Sequence, residues 1–143
     1  MNVAASWGKP VNMGPGSSAS VLSVGDELLS GDVVDTNAAW LDAQLGARGW
    51  TVVEHRTVGD DVDTIADAVR ALAARHARVV VTGGLGPTED DLTIQAVAKA
   101  ADVALEYRPE VYERIRARFE ARGRPLRPGH RRQAELPAGA RLF

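Results

Sequence analysis

The 143-residue sequence contains no cysteine, which removes disulfides, thiolate metal sites and a cysteine nucleophile at once. A cytoplasmic location is the default for such a chain. No apolar run approaches the roughly 18 residues needed to cross a bilayer, so no membrane association is expected. The N-terminus also lacks the basic-then-apolar layout of a signal peptide. Excess charge of one sign is missing too: 17 basic and 19 acidic residues leave a net charge of -2, which argues against nucleic acid as the partner. None of the three histidines stands where it would be an obvious general base. What is present suits one globular domain with a real core, since 45% of residues are hydrophobic and 25% charged, at the common length of a single domain.

Residues 1–18 hold Gly8, Pro10, Gly14, Pro15 and Gly16 without periodicity and read as a flexible leader. The domain is expected over residues 19–143. Ala19 to Val24 suggests a first strand, followed by a long polar loop from Gly25 to Asn37 that carries Asp26, Glu27, Asp32 and Asp35. Asp35 or Thr36 can cap a helix with Ala38, Leu41 and Leu45 on one face. Trp50 to Val58 reads as a second strand, and Gly59-Asp60-Asp61 repeats the order of strand, glycine, carboxylates. Ile65, Val69, Leu72 and His76 then form a stripe at helical spacing over 62–76. His76 at its end suits capping or packing better than ligation.

Val79-Val80-Val81-Thr82-Gly83-Gly84-Leu85-Gly86-Pro87-Thr88-Glu89-Asp90-Asp91 is the stretch with most chemical content. Three valines in a row favour a strand buried on both faces, hence a central one. Gly83, Gly84 and Gly86 let backbone N–H groups approach an anion. Thr88 or Asp91 could cap the next helix, starting near Leu92 or Thr93. Adjacent carboxylates suit a hard cation such as Mg²⁺. A glycine turn with a solvated, capped helix start accounts for the same residues equally well.

Strands alternating with helices indicate an α/β fold with a mainly parallel sheet. All three carboxylate-bearing loops follow strands, so they should open on one edge, where such folds bind ligands. Further on, Val103 to Tyr107 is a short strand or an extended connection. Pro109 suits a first helical position, with Val111, Ile115 and Phe119 as the buried face to about Arg122. The arginines dense from Arg108 onward fit a solvated helix face better than an anion-binding surface. Gly123 to Gly129 should be irregular, and Ala140 to Phe143 resembles the start of a strand.

Three pieces carry a family resemblance: Val24-Gly25-Asp26-Glu27-Leu28-Leu29-Ser30-Gly31 with Asp35 and Asn37; Val58-Gly59-Asp60-Asp61; and Thr82 through Thr93. Together they resemble the molybdopterin-binding-like (MoCF biosynthesis) domain family, most closely its branch at the N-terminus of competence/damage-inducible protein A (CinA). The resemblance implies a three-layer α/β/α sandwich that binds a phosphorylated nucleotide or pterin. Family members that make molybdenum cofactor adenylylate molybdopterin with Mg²⁺, through Asp residues matching Asp60 and Asp91. Those enzymes usually carry Thr at the position of Leu85, which weighs against cofactor synthesis here. The nearest branch is associated instead with metal-dependent hydrolysis of the diphosphate of ADP-ribose.

The expected roles follow. Asp60 and Asp91 are the catalytic candidates, and Asp60, Asp90 and Asp91 would hold Mg²⁺ or a similar divalent cation. Thr82, Gly83, Gly84 and Gly86 would cradle phosphate. Asp26, Glu27 and Asn37 would orient water, ribose hydroxyls or the nucleotide. Family members continue beyond the segment matching Leu136 to Ala140 into a strand and loop that help form the ligand site, so the chain is expected to lack that end, and an open sheet edge would favour a homo-oligomer. A separate C-terminal deamidase domain, frequent in the CinA branch, is not expected in these residues. Three functions remain: ADP-ribose pyrophosphatase-like hydrolysis, favoured; molybdopterin adenylyl transfer; and ligand binding without turnover.

Overall fold

The computed structural model describes residues 3–4 and 18–142. The leader expected over residues 1–18 lies outside them, except for Val3–Ala4, which form a two-residue strand β1, and Ser18, which opens strand β2, Ser18–Val24. Strands β3, Thr51–Val58, and β4, Arg78–Thr82, both run parallel to β2, in the order β3-β2-β4. The α/β fold with a parallel sheet is therefore as expected.

The centre of that sheet is not. The valine run was expected to be the central strand, yet β2 lies between the other two among the described residues, and β4 is only half-buried. The difference lies in side-chain size. Ser20 and Ser23 make β2 look weakly apolar, but they are small enough to be buried beside Ala19, Val21, Leu22 and Val24. The Ser20 hydroxyl meets its hydrogen-bonding need by donating to the Arg78 carbonyl, 3.4 Å away.

Helix α1, Asp26–Ser30, occupies part of the stretch expected to be a polar loop. Acidic residues in its first turn complement the helix dipole, and Gly31, at φ 83°, ends it in a left-handed conformation that suits glycine. Helix α2, Thr36–Gly46, starts at Asp35, whose carboxylate accepts the Ala38 N–H at 2.9 Å. Helix α3, Val62–Ala73, starts at Asp61, which accepts from the Thr64 N–H at 2.8 Å and the Thr64 hydroxyl at 2.7 Å. It ends before His76, whose Nε2 lies 2.9 Å from Glu54 on β3 and ties the helix exit to the strand.

Helices α3 and α4, Thr93–Ala100, pack together. Ile65, Ala66, Val69, Leu72 and Ala96 meet Leu22, Val24 and Val58 of the sheet to form the main core. A second core lies under helix α5, Pro109–Glu120, which has Pro109 in its first turn as expected. Val111 and Ile115 pack there with Ala134, Leu136 and Ala140. Strand β5, Leu105–Tyr107, pairs antiparallel with β6, Glu135–Pro137, and between α5 and β6 the chain forms a 3₁₀ helix, Pro128–Ala134. Strand β7, Arg141–Leu142, pairs antiparallel with β1. No described helix is long and apolar enough to cross a membrane.

Leu72 is fully buried between α3 and the sheet, whereas Trp40 on α2 is 62% exposed. Leu72→Ala is expected to lower the unfolding free energy by about 2–5 kcal/mol. Trp40→Ala should change it by less than about 0.5 kcal/mol. Urea titrations followed by circular dichroism, at equal m-value, would check both.

Candidate functional site

The loops after β2, β3 and β4 meet at the carboxyl edge of the sheet. They line a recess of about 140 Å³ formed by Val24, Gly25, Glu27, Asp60, Gly84, Asp90 and Asp91. Two of the loops are joined by a reciprocal pair of hydrogen bonds. The Asp26 N–H donates to Asp60 Oδ2 and the Asp60 N–H donates to Asp26 Oδ1, each at 3.1 Å. A Cβ on Gly59 would stand 2.3 Å from that Asp26 oxygen, so a side chain there would push the carboxylate out of the pair. Glu27 folds back over Gly25, where a Cβ would stand 2.6 Å from both of its carboxylate oxygens.

The third loop is held by Asp91. Its Oδ1 accepts the Gly86 N–H at 2.6 Å, while Oδ2 accepts the Thr88 N–H at 2.8 Å and the Thr88 hydroxyl at 2.5 Å. Asp91 therefore ties the turn together and does not cap α4, whose first residue follows Leu92 with no side-chain cap. Burial pushes its carboxyl upward. The Thr88 hydroxyl, the N–H groups of Thr88 and Gly86 and the charge of Arg132 together outweigh that and hold it below the ordinary value of 3.8.

Thr93, absent from the residues expected at the site, pins the turn from the other side. It is buried, its hydroxyl donates to the Gly83 carbonyl at 2.8 Å, and its N–H donates to the Gly84 carbonyl at 3.2 Å. Only its place at the start of α4 pointed to it. Gln133, also missed, donates to the Leu85 carbonyl at 2.9 Å from a segment 48 residues away. The turn so held leaves the N–H groups of Gly84 and Leu85 without an acceptor among the described residues. Uncommitted N–H groups in a glycine turn suit an anion.

The expected site residues thus divide. Glu27, Asp60, Gly84, Asp90 and Asp91 share the recess, and Asp26 adjoins it through Asp60. Gly83 and Gly86 shape the turn, and Thr82 ends β4 beside Ser23. Asn37 stands exposed in the first turn of α2, outside the recess. The histidines are engaged elsewhere: His55 lies 2.9 Å from Asp42, His76 meets Glu54, and His130 is buried with its ring nitrogen at Arg127.

Among the described residues no group of three or more His, Cys, Asp or Glu side chains is gathered closely enough to hold a metal ion. Both Asp91 oxygens and one of Asp60's already accept hydrogen bonds. The described residues therefore offer no protein-only cage. It does fit the mode usual for Mg²⁺, in which one or two carboxylates act together with phosphate oxygens and water, with Asp60 and Asp90 as the protein's share.

An α/β domain with its cleft at the carboxyl ends of parallel strands is the class that this fold and site define. Residues 20–140 match the family model described as "Probable molybdopterin binding domain". The chain belongs to that family. It is 50% identical over 124 residues to a CinA-like protein of Citrifermentans bemidjiense, an alignment covering 87% of this chain and 30% of the relative. The chain thus spans about a third of the length of such curated relatives. Its structure is similar to that of the protein CinA from Thermoplasma acidophilum, with a TM-score of 0.79 and 34% identity, covering 90% of this chain and 75% of that one. The fold is also that of the molybdopterin biosynthesis enzyme MoaB from Thermus thermophilus, with a TM-score of 0.56 and 22% identity over 68% of this chain and 60% of the other.

Two predictions test this geometry. Gly83 has φ +90°, and a Cβ there would strike the Val24 carbonyl oxygen, so Gly83→Ala should cost at least about 2 kcal/mol in urea unfolding. Asp91 favours its charged form in the fold, so its contribution is full above the unfolded-state value and is lost as pH falls through the lower folded value. The stability difference between wild type and Asp91→Asn should therefore be largest at neutral pH and shrink below about pH 4. A difference that stays constant from pH 7 to pH 3 would exclude this role.

Proposed function

We propose that this domain binds a phosphorylated nucleotide- or pterin-bearing small molecule and hydrolyses the diphosphate of ADP-ribose in a metal-dependent reaction. One observation supports this most: the uncommitted N–H of Gly84 borders a recess lined by Glu27, Asp60 and Asp90, and the equally uncommitted N–H of Leu85 follows it on the same turn. Phosphate oxygens would accept from those N–H groups at the turn that Asp91, Thr93 and Gln133 hold rigid. Asp60, itself held by the Asp26 N–H, would face the diphosphate from the neighbouring loop. When bound, a divalent cation would neutralise developing charge on the phosphate and lower the pKa of attacking water. With all three histidines engaged elsewhere, Glu27 and Asp90 are the groups available to orient that water and accept its proton. Water adds to one phosphorus, the bridging P–O bond breaks, and AMP and ribose 5-phosphate leave. The similarity to CinA-like proteins, the branch that the sequence motifs resemble, favours this reading over adenylyl transfer to molybdopterin. A cysteine-free chain acting on a nucleotide is assigned to the cytoplasm.

Ligand binding without turnover is the second reading, favoured by the engagement of Asp91 in hydrogen bonds and by the lack of a gathered carboxylate trio among the described residues. Incubation of the chain with ADP-ribose, with and without Mg²⁺, and chromatography of the products separates the two. Metal-dependent AMP and ribose 5-phosphate are expected, and Asp60→Asn, which keeps an acceptor for the Asp26 N–H, should lower the rate about 100-fold. Metal-dependent binding with no product selects the second reading. A parallel arm with ATP and molybdopterin would reveal adenylyl transfer as an adenylylated pterin.

A further inference from the structure

The small net charge conceals two regions of opposite sign. Ten of the 17 basic residues lie from Arg108 onward, together with only four of the 19 acidic ones. Helix α5 sorts its arginines into two rows. On one, Arg116 is neutralised by Glu113 and Glu120. On the other, Arg114 and Arg118 stand four residues apart, and Arg122 and Arg124 follow just past the helix end. All four are exposed. Arg114 acts only on Glu110, which Arg108 already engages, and the side chains of the other three meet no hydrogen-bond, ion-pair or ring partner among the described residues. Like charges four apart on a helix repel, and an anion from outside would relieve that repulsion.

A surface that complements this row lies on the same chain. Between α1 and α2, Leu29, Val33 and Val34 are 59%, 50% and 79% exposed, an apolar strip with Asp32 in its midst and Glu27 and Asp35 on its flanks. The strip adjoins the carboxylate recess: the Val33 N–H donates to the Glu27 carbonyl at 3.2 Å, and Leu29 stands beside Gly59. Arginine suits such a strip in both its parts, because the methylene stem covers apolar side chains while the guanidinium reaches a carboxylate. Within one copy no ion pair joins the strip to the row among the described residues. A polyanion would match the row and be repelled by the strip, whereas a second copy supplies both complements at once in a head-to-tail contact. We propose that the Arg118 row of one copy docks on the strip at residues 29–34 of a second. Docking there sets cationic side chains at the mouth of a recess whose own charged lining is all carboxylate. The contact does not depend on the hydrolase reading.

Sedimentation velocity over a concentration series, at about 50 mM and about 500 mM NaCl, tests it through mass and not turnover. The chain should associate at the lower salt, with an association constant about tenfold or more weaker at the higher. Two variants each remove one surface: Arg118→Glu with Arg122→Glu, and Asp32→Arg with Val34→Arg. All four positions are exposed, so both variants should keep the wild-type circular dichroism spectrum. Each variant alone should stay monomeric. Their equimolar mixture should form a dimer and nothing larger, because one surviving row meets one surviving strip. A wild type that remains monomeric up to about 1 mM overturns the proposal. So does a mixture that associates no better than its parts, or self-association that survives both pairs of substitutions. If the monomer instead binds a single-stranded oligonucleotide, and Arg118→Glu with Arg122→Glu abolishes that binding, the row belongs to a polyanion and the proposal falls. A dimer formed only by the mixture, in a chain that leaves ADP-ribose intact, keeps the contact and removes the hydrolase reading.

Discussion

The carbonyl oxygen of Val24 occupies the place that a side chain on residue 83 would take. That close approach of two backbones sets the rest of the site. It brings the end of β2 against the exit of β4, and only a residue without a Cβ permits it at a φ of +90°. The next residue repeats the constraint. Gly84, at φ +56°, leaves the space in which the Thr93 hydroxyl stands 2.5 Å from where a Cβ would be, and from there Thr93 reaches the Gly83 carbonyl. Strand end, turn and helix start are thereby joined through backbone groups. The carboxylate recess inherits its shape from that junction, since Gly84 lines it.

Much of this was legible in the sequence because the informative signals were local. Gly25, Gly59 and Gly83 each follow a stretch expected to be a strand, and the carboxylates after them had to open on one edge once the strands were parallel. Helix starts at Asp35 and Asp61 followed from side-chain chemistry within three residues, as the Ala38 and Thr64 N–H groups show. What could not be read depended on distant partners. Sheet order was misjudged because β-branching marks a strand and not its neighbours; burial of Ser20 and Ser23 in β2 comes from being flanked on both sides. The helix at Asp26–Ser30 was hidden by its shortness and polarity. Arg132 looked like one more solvated arginine, because Asp91, on whose carboxylate its charge acts, lies far away in the chain.

The same distance effect divides the carboxylates into two groups that composition alone treats as equal. Asp26, Asp60 and Asp91 accept backbone N–H groups and hold loops in place; Glu27 and Asp90 line the recess without a hydrogen-bond partner among the described residues. An oxygen already accepting short hydrogen bonds has N–H dipoles aimed at it, which lowers its capacity to serve a cation as well. Asp91 is the extreme case, with three donors on two oxygens. A cation at Asp91 would share oxygens that already accept from Gly86 and Thr88, and so compete with the bonds that hold the turn presenting the Gly84 and Leu85 N–H groups. Rigid presentation of the turn and direct coordination by Asp91 therefore pull against each other. In the conformation observed the first prevails, leaving a ligand's own phosphate oxygens to complete any cation shell begun by Asp60 and Asp90.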